Sequence, residues 1–330
     1  MKNTVNYKLI QPVLTIIVLM IFNSVKSQEI KSSSGPGYYK FTTQNPDSVI
    51  IPFTILNGKP LLQVEINDEK ATLLIDNGIL WDQVWLFGSP LVTKLDMKPL
   101  KQESIGGAGE GDELAAYSSD NIKLKFNDII FYEQPVLVSP PAAGFAKMFP
   151  GADGQLCNTF FKHFMVEFDF IKNLIILHDP GKFKYSGNGS IIDIKENTSG
   201  TYSLPFTFEM NDGKIYNDRM DIDFGGIYAI KIALNNKHNI NLPDDVTETF
   251  SYGAQGKITE YSGKIKSMTF GRYTFENPVA VFGDEKTSSI HHDNLGVIGL
   301  PLFMKFNIIF DYINNKIYID PNENFNEPFE

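Results

Sequence analysis

Two short stretches of this 330-residue chain place carboxylates where a folded protein finds them costly. Leu73-Leu74-Ile75-Asp76-Asn77-Gly78 and Met220-Asp221-Ile222-Asp223-Phe224-Gly225 each carry an apolar, strand-like segment into Asp-x-Gly. Taken alone, the first reads as a hairpin, because Asn-Gly between apolar runs is a strong turn signal. The second resists that reading, since phenylalanine has no turn chemistry. An aspartate at the end of an apolar strand is expensive to desolvate unless it is satisfied. Two of them, one in each of two similar segments, point to a single shared site whose carboxylates could give and take protons.

Other residues with chemical potential read less well. Gly106-Gly107-Ala108-Gly109-Glu110-Gly111 has the glycine content of a phosphate loop, but neither a lysine nor a helical pattern follows, which favours a flap or plain turn. Asp223-Phe224-Gly225 matches a metal-holding triplet of kinases, yet the lysine and catalytic-loop partners are missing. In His291-His292-Asp293, adjacent side chains of an extended segment point to opposite faces, so an exposed loop fits better than a metal site. Cys157 is the sole cysteine. With no histidine base paired to it in sequence, it reads as a buried structural thiol, and no intrachain disulfide is possible.

The elements that must position the aspartates are themselves duplicated. Ile51-Pro52-Phe53 answers to Leu204-Pro205-Phe206, and the Asp-x-Gly segments answer to one another. Glycine-rich Ser104 to Gly109 answers to Phe250 to Gly256. Phe161, Phe164, Phe168, Asp169 and Asn173 match Phe303, Phe306, Phe310, Asp311 and Asn315, each 142 positions on (311 − 169 = 142), while Asp76 and Asp223 are 147 apart (223 − 76 = 147). Matches in the same order imply duplication of one unit. The units run from 48 to 181 and from 201 to 330, joined by the Gly-, Ser- and Asn-rich stretch 182–200 and preceded by a loose polar leader, 28–47.

Strand-like runs at Leu61 to Asn67 and Lys70 to Ile75 flank a short polar turn, and Phe168 to Phe170 and Leu174 to Leu177 flank Lys172-Asn173. Helical spacing is confined to short pieces near Asn158 to Phe164 and Pro301 to Phe306. With 26 Phe and 14 Tyr against two Trp, the composition leans to strands. The predicted fold is mainly β: two pseudo-symmetric, β-barrel-like lobes with a cleft between them.

The charge of −10, spread along the chain without a basic stripe, argues against a nucleic-acid partner. Lys2 and Lys8 precede an apolar run from Pro12 to Phe22, and Val25-Lys26-Ser27 offers a cleavage site before Gln28. Residues 1–27 therefore read as a signal peptide, and the run is too short to span a bilayer comfortably. The expectation is an exported protein, periplasmic or secreted, with no stable membrane insertion once the signal is removed; the alternative reading keeps the segment as a membrane anchor.

The order of apolar strand, Asp-x-Gly, glycine-rich flap, apolar-apolar-Gly, short helix and closing Phe-Asp-Tyr hairpin resembles aspartic proteases, most closely the two-lobed retropepsin-like proteins of bacteria. The resemblance covers about Ile51 to Pro321. It implies a monomer with a groove for a peptide or protein substrate, with no metal and no cofactor. It implies further that Asp76 and Asp223 share one proton, since adjacent carboxylates do not both ionise cheaply. Gly78 and Gly225 would let backbone approach the carboxylates, and Gly106, Gly107 and Gly109 would belong to the flap over substrate. This chain departs from the family pattern at three places. Asn77 and Phe224 stand where Thr or Ser would bond between lobes, Cys157 replaces a glycine retained as Gly299, and the first flap carries no tyrosine. The implied activity is that of an aspartic endopeptidase. The competing reading is a catalytically impaired, peptide-binding relative, and a third is an envelope β protein whose Asp-x-Gly pairs are only turns.

Overall fold

The computed structural model describes residues 38–43, 46–78, 84–95, 97, 101–140, 148–198, 200–234, 237–284 and 294–329. The predicted signal peptide 1–27, residues 28–37 of the leader and His291-His292-Asp293 lie outside the described residues. Strands dominate what is described, in one 14-stranded and one 10-stranded sheet. No helix among the described residues is long and apolar enough to cross a membrane.

Local sequence explains the hairpins. Asn67 and Asp68 both take positive φ (49° and 71°), the left-handed pair that two-residue hairpins require and that Asn and Asp tolerate. They turn strand Lys59–Ile66 into strand Glu69–Ile75, which it pairs with Leu61 opposite Leu74. Asn173 and Asn315 occupy the same conformation (55° and 56°) in the two Phe-Asp hairpins, which is why both copies keep them. The aspartates of those hairpins are turn caps: Asp169 accepts from the amides of Ile171 and Lys172, and Asp311 from that of Asn314.

Each lobe builds its aspartate strand in the same way. Glu69–Ile75 lies antiparallel to Lys59–Ile66 on one side and parallel to the three-residue strand Gly154–Leu156 on the other. Ile215–Ile222 lies antiparallel to Tyr202–Glu209 and parallel to Gly296–Ile298. The short strands pair in turn with Val84–Phe87 and Ile230–Leu234. Fully buried Leu73, Leu74, Ile75, Leu156, Ile230 and Ile298 anchor these central strands in the core.

A shared sheet joins the lobes. Strands Met165–Asp169 and Phe306–Asp311 pair antiparallel at its centre, with Glu167 opposite Ile309. Those two residues are themselves 142 apart (309 − 167 = 142), so the pseudo-two-fold axis passes between them. Leu174–His178 and Lys316–Pro321 flank the pair, and Ser48–Leu56 and Ser190–Asp193 close the two ends of this layer. An aromatic core of Phe161, Phe168, Phe224, Phe303 and Phe310 packs ring against ring beneath it.

Four details differ from the sequence reading. Within the stretch read as a loose leader, Tyr39–Phe41 is a strand on Ile129–Ser139; its buried Tyr39 and Phe41 side chains outweigh the polar surroundings. The connection 182–200 contains strands Ser190–Asp193 and Lys195–Glu196, which split between them the work of the continuous strand Ser48–Leu56. Consequently Leu204-Pro205-Phe206 is not the counterpart of Ile51-Pro52-Phe53. Leu204 lies opposite Met220 as Leu62 lies opposite Leu73, one strand over. Alternating apolar residues look alike on neighbouring strands, so the pattern alone does not tell the two apart. Helix Leu300–Phe303 forms as expected, whereas its counterpart at 158–164 is a run of turns.

Phe310 is fully buried between both lobes' aromatic rings. Phe310→Ala is expected to cost about 3–5 kcal/mol by loss of apolar contact and creation of a cavity. Urea unfolding of the purified variant beside the unmodified protein measures it.

Candidate active site

The strand ends bring Asp76 and Asp223 together. The Asp76 amide donates to the Leu156 carbonyl and the Asp223 amide to that of Ile298, both at 3.0 Å, so each aspartate is hung on its neighbouring three-residue strand. The two carboxyl groups face one another, each lying against the glycine that follows the other aspartate. Gly78 donates its amide to Asp76 Oδ1 at 3.1 Å, and Gly225 its amide to Asp223 Oδ1 at 2.6 Å. The glycines are required by space. A Cβ at Gly78 would stand 2.3 Å from Asp223 Oδ1, and one at Gly225 would stand 2.4 Å from Asp76 Oδ2. Each glycine thus makes room for the other lobe's carboxylate.

Burial, and then the neighbouring charge of Asp76, push Asp223 up to about 7, against the opposing pull of the Lys59 ammonium and the Gly225 amide. Asp223 therefore keeps its proton below about pH 7 and loses it as the pH rises through that value.

Asn77 and Phe224 resolve the missing hydroxyls. The Asn77 side chain crosses between lobes: its Oδ1 accepts the Phe224 backbone N–H at 2.9 Å, and its Nδ2 donates to the Tyr312 hydroxyl at 3.1 Å. Both bonds are buried. Phe224 contributes its main chain to this link, while its fully buried ring fills the aromatic core against Phe168, Phe303 and Phe310. Tyr312, the acceptor, is stacked between Tyr202 and Phe161. One amide and one aromatic cluster occupy the place of two hydroxyls.

A cavity of about 390 Å³ opens onto both carboxylates. Its floor carries residues that sequence reading missed. Lys59, buried, sits with its ammonium 3.9 Å from Asp76 Oδ2 and over the Phe149 ring. Gln155, also buried, donates its amide to the same oxygen at 3.1 Å, and its Oε1 has no hydrogen-bond partner among the described residues. The walls differ between lobes. Trp85 faces the first-lobe side, its indole N–H bonded to Ser139. The register puts Lys231 in the corresponding place, since Trp85 lies opposite Gln155 as Lys231 lies opposite Val297. Lys231 forms a buried ion pair with Glu260. Tyr228 adds a phenol whose pKa is raised first by burial and then by the field of Asp223, so it remains a hydrogen-bond donor. Signals for these residues existed: Asn57-Gly58 is a two-residue hairpin turn that delivers Lys59 to the site, and Gln155 is polar where the second copy has Val297.

Two hairpin tips roof the cavity, one from each lobe. Of the three glycines assigned to the flap, Gly106 and Gly107 line the cavity and Gly109 does not. Gly109 instead takes φ +136° and abuts the backbone of Gln255 on the opposite tip, where no side chain would fit. The tips are clasped: Gln255 N–H donates to the Ala108 carbonyl, Gly111 N–H to the Gln255 carbonyl, and Glu110 N–H to the Lys257 carbonyl. The Gln255 side chain accepts from Gly107 N–H and donates to the Gly111 carbonyl. No tyrosine stands on the first tip, but Tyr252, on the second hairpin, lines the cavity.

One substitution tests the link between lobes. Asn77→Ala strands the buried Phe224 N–H and is expected to cost about 1–3 kcal/mol in denaturant unfolding, the usual penalty for an unsatisfied buried donor.

No protein-family model matches the chain, and no curated protein does. Among solved structures, the aspartic proteinase from Irpex lacteus is similar over 86% of this chain and 100% of its own, at TM-score 0.50 and 14% identity. Conglutin gamma, a basic 7S globulin from lupine seeds, covers 84% of this chain and 95% of its own (TM-score 0.49, 10% identity). Soybean basic 7S globulin covers 86% and 97% (TM-score 0.46, 9% identity). At such identities the likeness is one of fold, and the chain has the mainly β, two-lobed architecture of an aspartic proteinase.

Proposed function

We propose that this protein is an aspartic endopeptidase, with Asp76 and Asp223 activating a water for attack on a peptide carbonyl. The supporting observation is the facing carboxyl pair, each member against the other's glycine, in a cavity lined from both lobes. One carboxylate takes a proton from the water as its oxygen joins the carbonyl carbon, and the protonated partner donates to the carbonyl oxygen. Both hairpin tips must part to admit an extended chain, which favours unfolded segments as substrate. The apolar run at Pro12 to Phe22 supports export, and a periplasmic or secreted monomer of the bacterial retropepsin-like type is the finer reading. A second reading, a protein that holds peptides without cutting them, draws on the clasped tips, because each turnover would have to break that hydrogen-bond set twice.

The test incubates the purified protein with an unfolded polypeptide from acid to neutral pH, beside Asp76→Asn and Asp223→Asn. Cleavage is expected in the parent and lost by about a thousandfold or more in either variant, the scale of losing an acid or base that moves a proton in the transition state. Cleavage that survives either substitution overturns the mechanism. Absence of cleavage by the folded parent at every pH selects the binding reading. Activity is expected to fall as pH rises through about 7, where Asp223 loses its proton. The same shift has a stability sign. A carboxyl group whose folded pKa is raised contributes stability below its unfolded pKa and loses it as pH climbs to the folded value. Asp223→Asn should therefore melt at a higher temperature than the parent above the value of about 7 that Asp223 takes in the folded protein, as read by calorimetry.

A further inference from the structure

The duplication relates Asp76 to Asp223, yet their surroundings are unequal. Asp76 receives the Gln155 amide at 3.1 Å and has the Lys59 ammonium 3.9 Å away, both on Oδ2, with the Gly78 amide on Oδ1. Asp223 receives the Gly225 amide. By strand register, the second-lobe positions equivalent to Lys59 and Gln155 hold Thr201 and Val297, neither of them charged. Lys59 and Gln155 are 3% and 1% exposed, so little solvent screens them from the pair. Among the described residues lining the cavity, the other charged groups are Lys231 and Glu260, which are bonded to each other and largely offset. Tyr228 and Tyr252 supply phenols to the second-lobe wall. Lys59 is thus the cation that the structure sets against one member of the pair.

We propose that Lys59, assisted by Gln155, fixes the negative charge on Asp76 and the proton on Asp223, and thereby sets the pH range in which the pair works. The inference rests on the acid–base reading of the two aspartates given above, and it makes Lys59 a positioning residue. In the first step, Asp76 carboxylate accepts a proton from water while the water oxygen bonds to the carbonyl carbon. Asp223 passes its proton to the carbonyl oxygen, giving a neutral gem-diol. In the second, Asp76 returns its proton to the amide nitrogen, the C–N bond breaks, and Asp223 recovers a proton from one hydroxyl as the new carboxyl group forms. Both carboxyl groups end as they began. Because the Lys59 ammonium lies against Asp76, it favours a negative charge there over one on Asp223. It also favours ionisation of the pair as a whole, so its loss is expected to raise both limbs of the pH profile.

Lys59→Met removes the charge at similar volume; Lys59→Arg keeps it. The pH profile of kcat/KM for Lys59→Met is expected to move upward on both limbs by about half to one unit, and Lys59→Arg to restore the parent profile. An unmoved profile in a folded, active Lys59→Met protein overturns the proposal. Where Lys59→Met does not fold, Lys59→Gln serves in its place. A second readout needs no turnover: carbon-13 NMR of labelled aspartate, assigned with Asp76→Asn and Asp223→Asn, follows the two carboxyl titrations directly. If the parent cleaves nothing but both titrations shift upward on loss of Lys59, the peptidase reading fails while the charge assignment stands. If the parent cleaves and neither titration moves, the assignment fails and the peptidase reading stands.

Discussion

The bond from the Phe224 backbone N–H to the Asn77 side chain is the contact on which the geometry of the site depends. It starts one residue beyond one aspartate and ends one residue beyond the other, so it fixes the lobes where the two carboxyls meet. The shared sheet holds the lobes at their base, and this bond sets the two strand ends against each other directly beside the carboxyls. The tie itself is well protected. It is buried, its second arm reaches the Tyr312 hydroxyl, and that tyrosine is held by stacked rings on both sides. The reciprocal fit of Gly78 and Gly225 against the opposite carboxyls then leaves the pair little freedom to shift.

The same contact shows how a duplicated fold drifts without losing its centre. Identical halves would offer two identical side chains here. Instead one half supplies an amide with both a donor and an acceptor, and the other supplies a backbone N–H and a ring for the core. An amide can serve both roles because it carries both kinds of hydrogen-bonding atom. The second half, released from polar duty, gained apolar packing against Phe168, Phe303 and Phe310. The polar function is concentrated on one side and the packing function on the other.

Much of this was legible in the residues. The paired Asp-x-Gly segments, the constant spacing of the Phe-Asp hairpins and the glycine-rich tip together conveyed duplication, β architecture and the meeting of the aspartates. What escaped was of two kinds. Strand identity is lost at Leu204-Pro205-Phe206 and within 182–200, because period-two alternation carries no label for which strand is which. Residues whose role comes from lateral neighbours also escape a linear reading. Lys59 precedes Asp76 by 17 positions (76 − 59 = 17) and comes beside it only because the turn at Asn67-Asp68 folds one strand back along the other. Gln155 reaches the same carboxylate across a parallel ladder, from a strand far along the chain.

The shared sheet carries a mechanical consequence. Because Met165–Asp169 and Phe306–Asp311 hydrogen bond across the axis, the two halves are riveted at their base. Swinging one half against the other to widen the entrance would tear that ladder and shear the aromatic layer under it. The roof bears no such load: its hairpins meet through a few bonds among half-buried or exposed residues, each contributing about 1 kcal/mol. Compliance therefore resides in the two overhanging hairpins and stiffness in the carboxyls, so a guest can enter without disturbing the atoms that hold the proton.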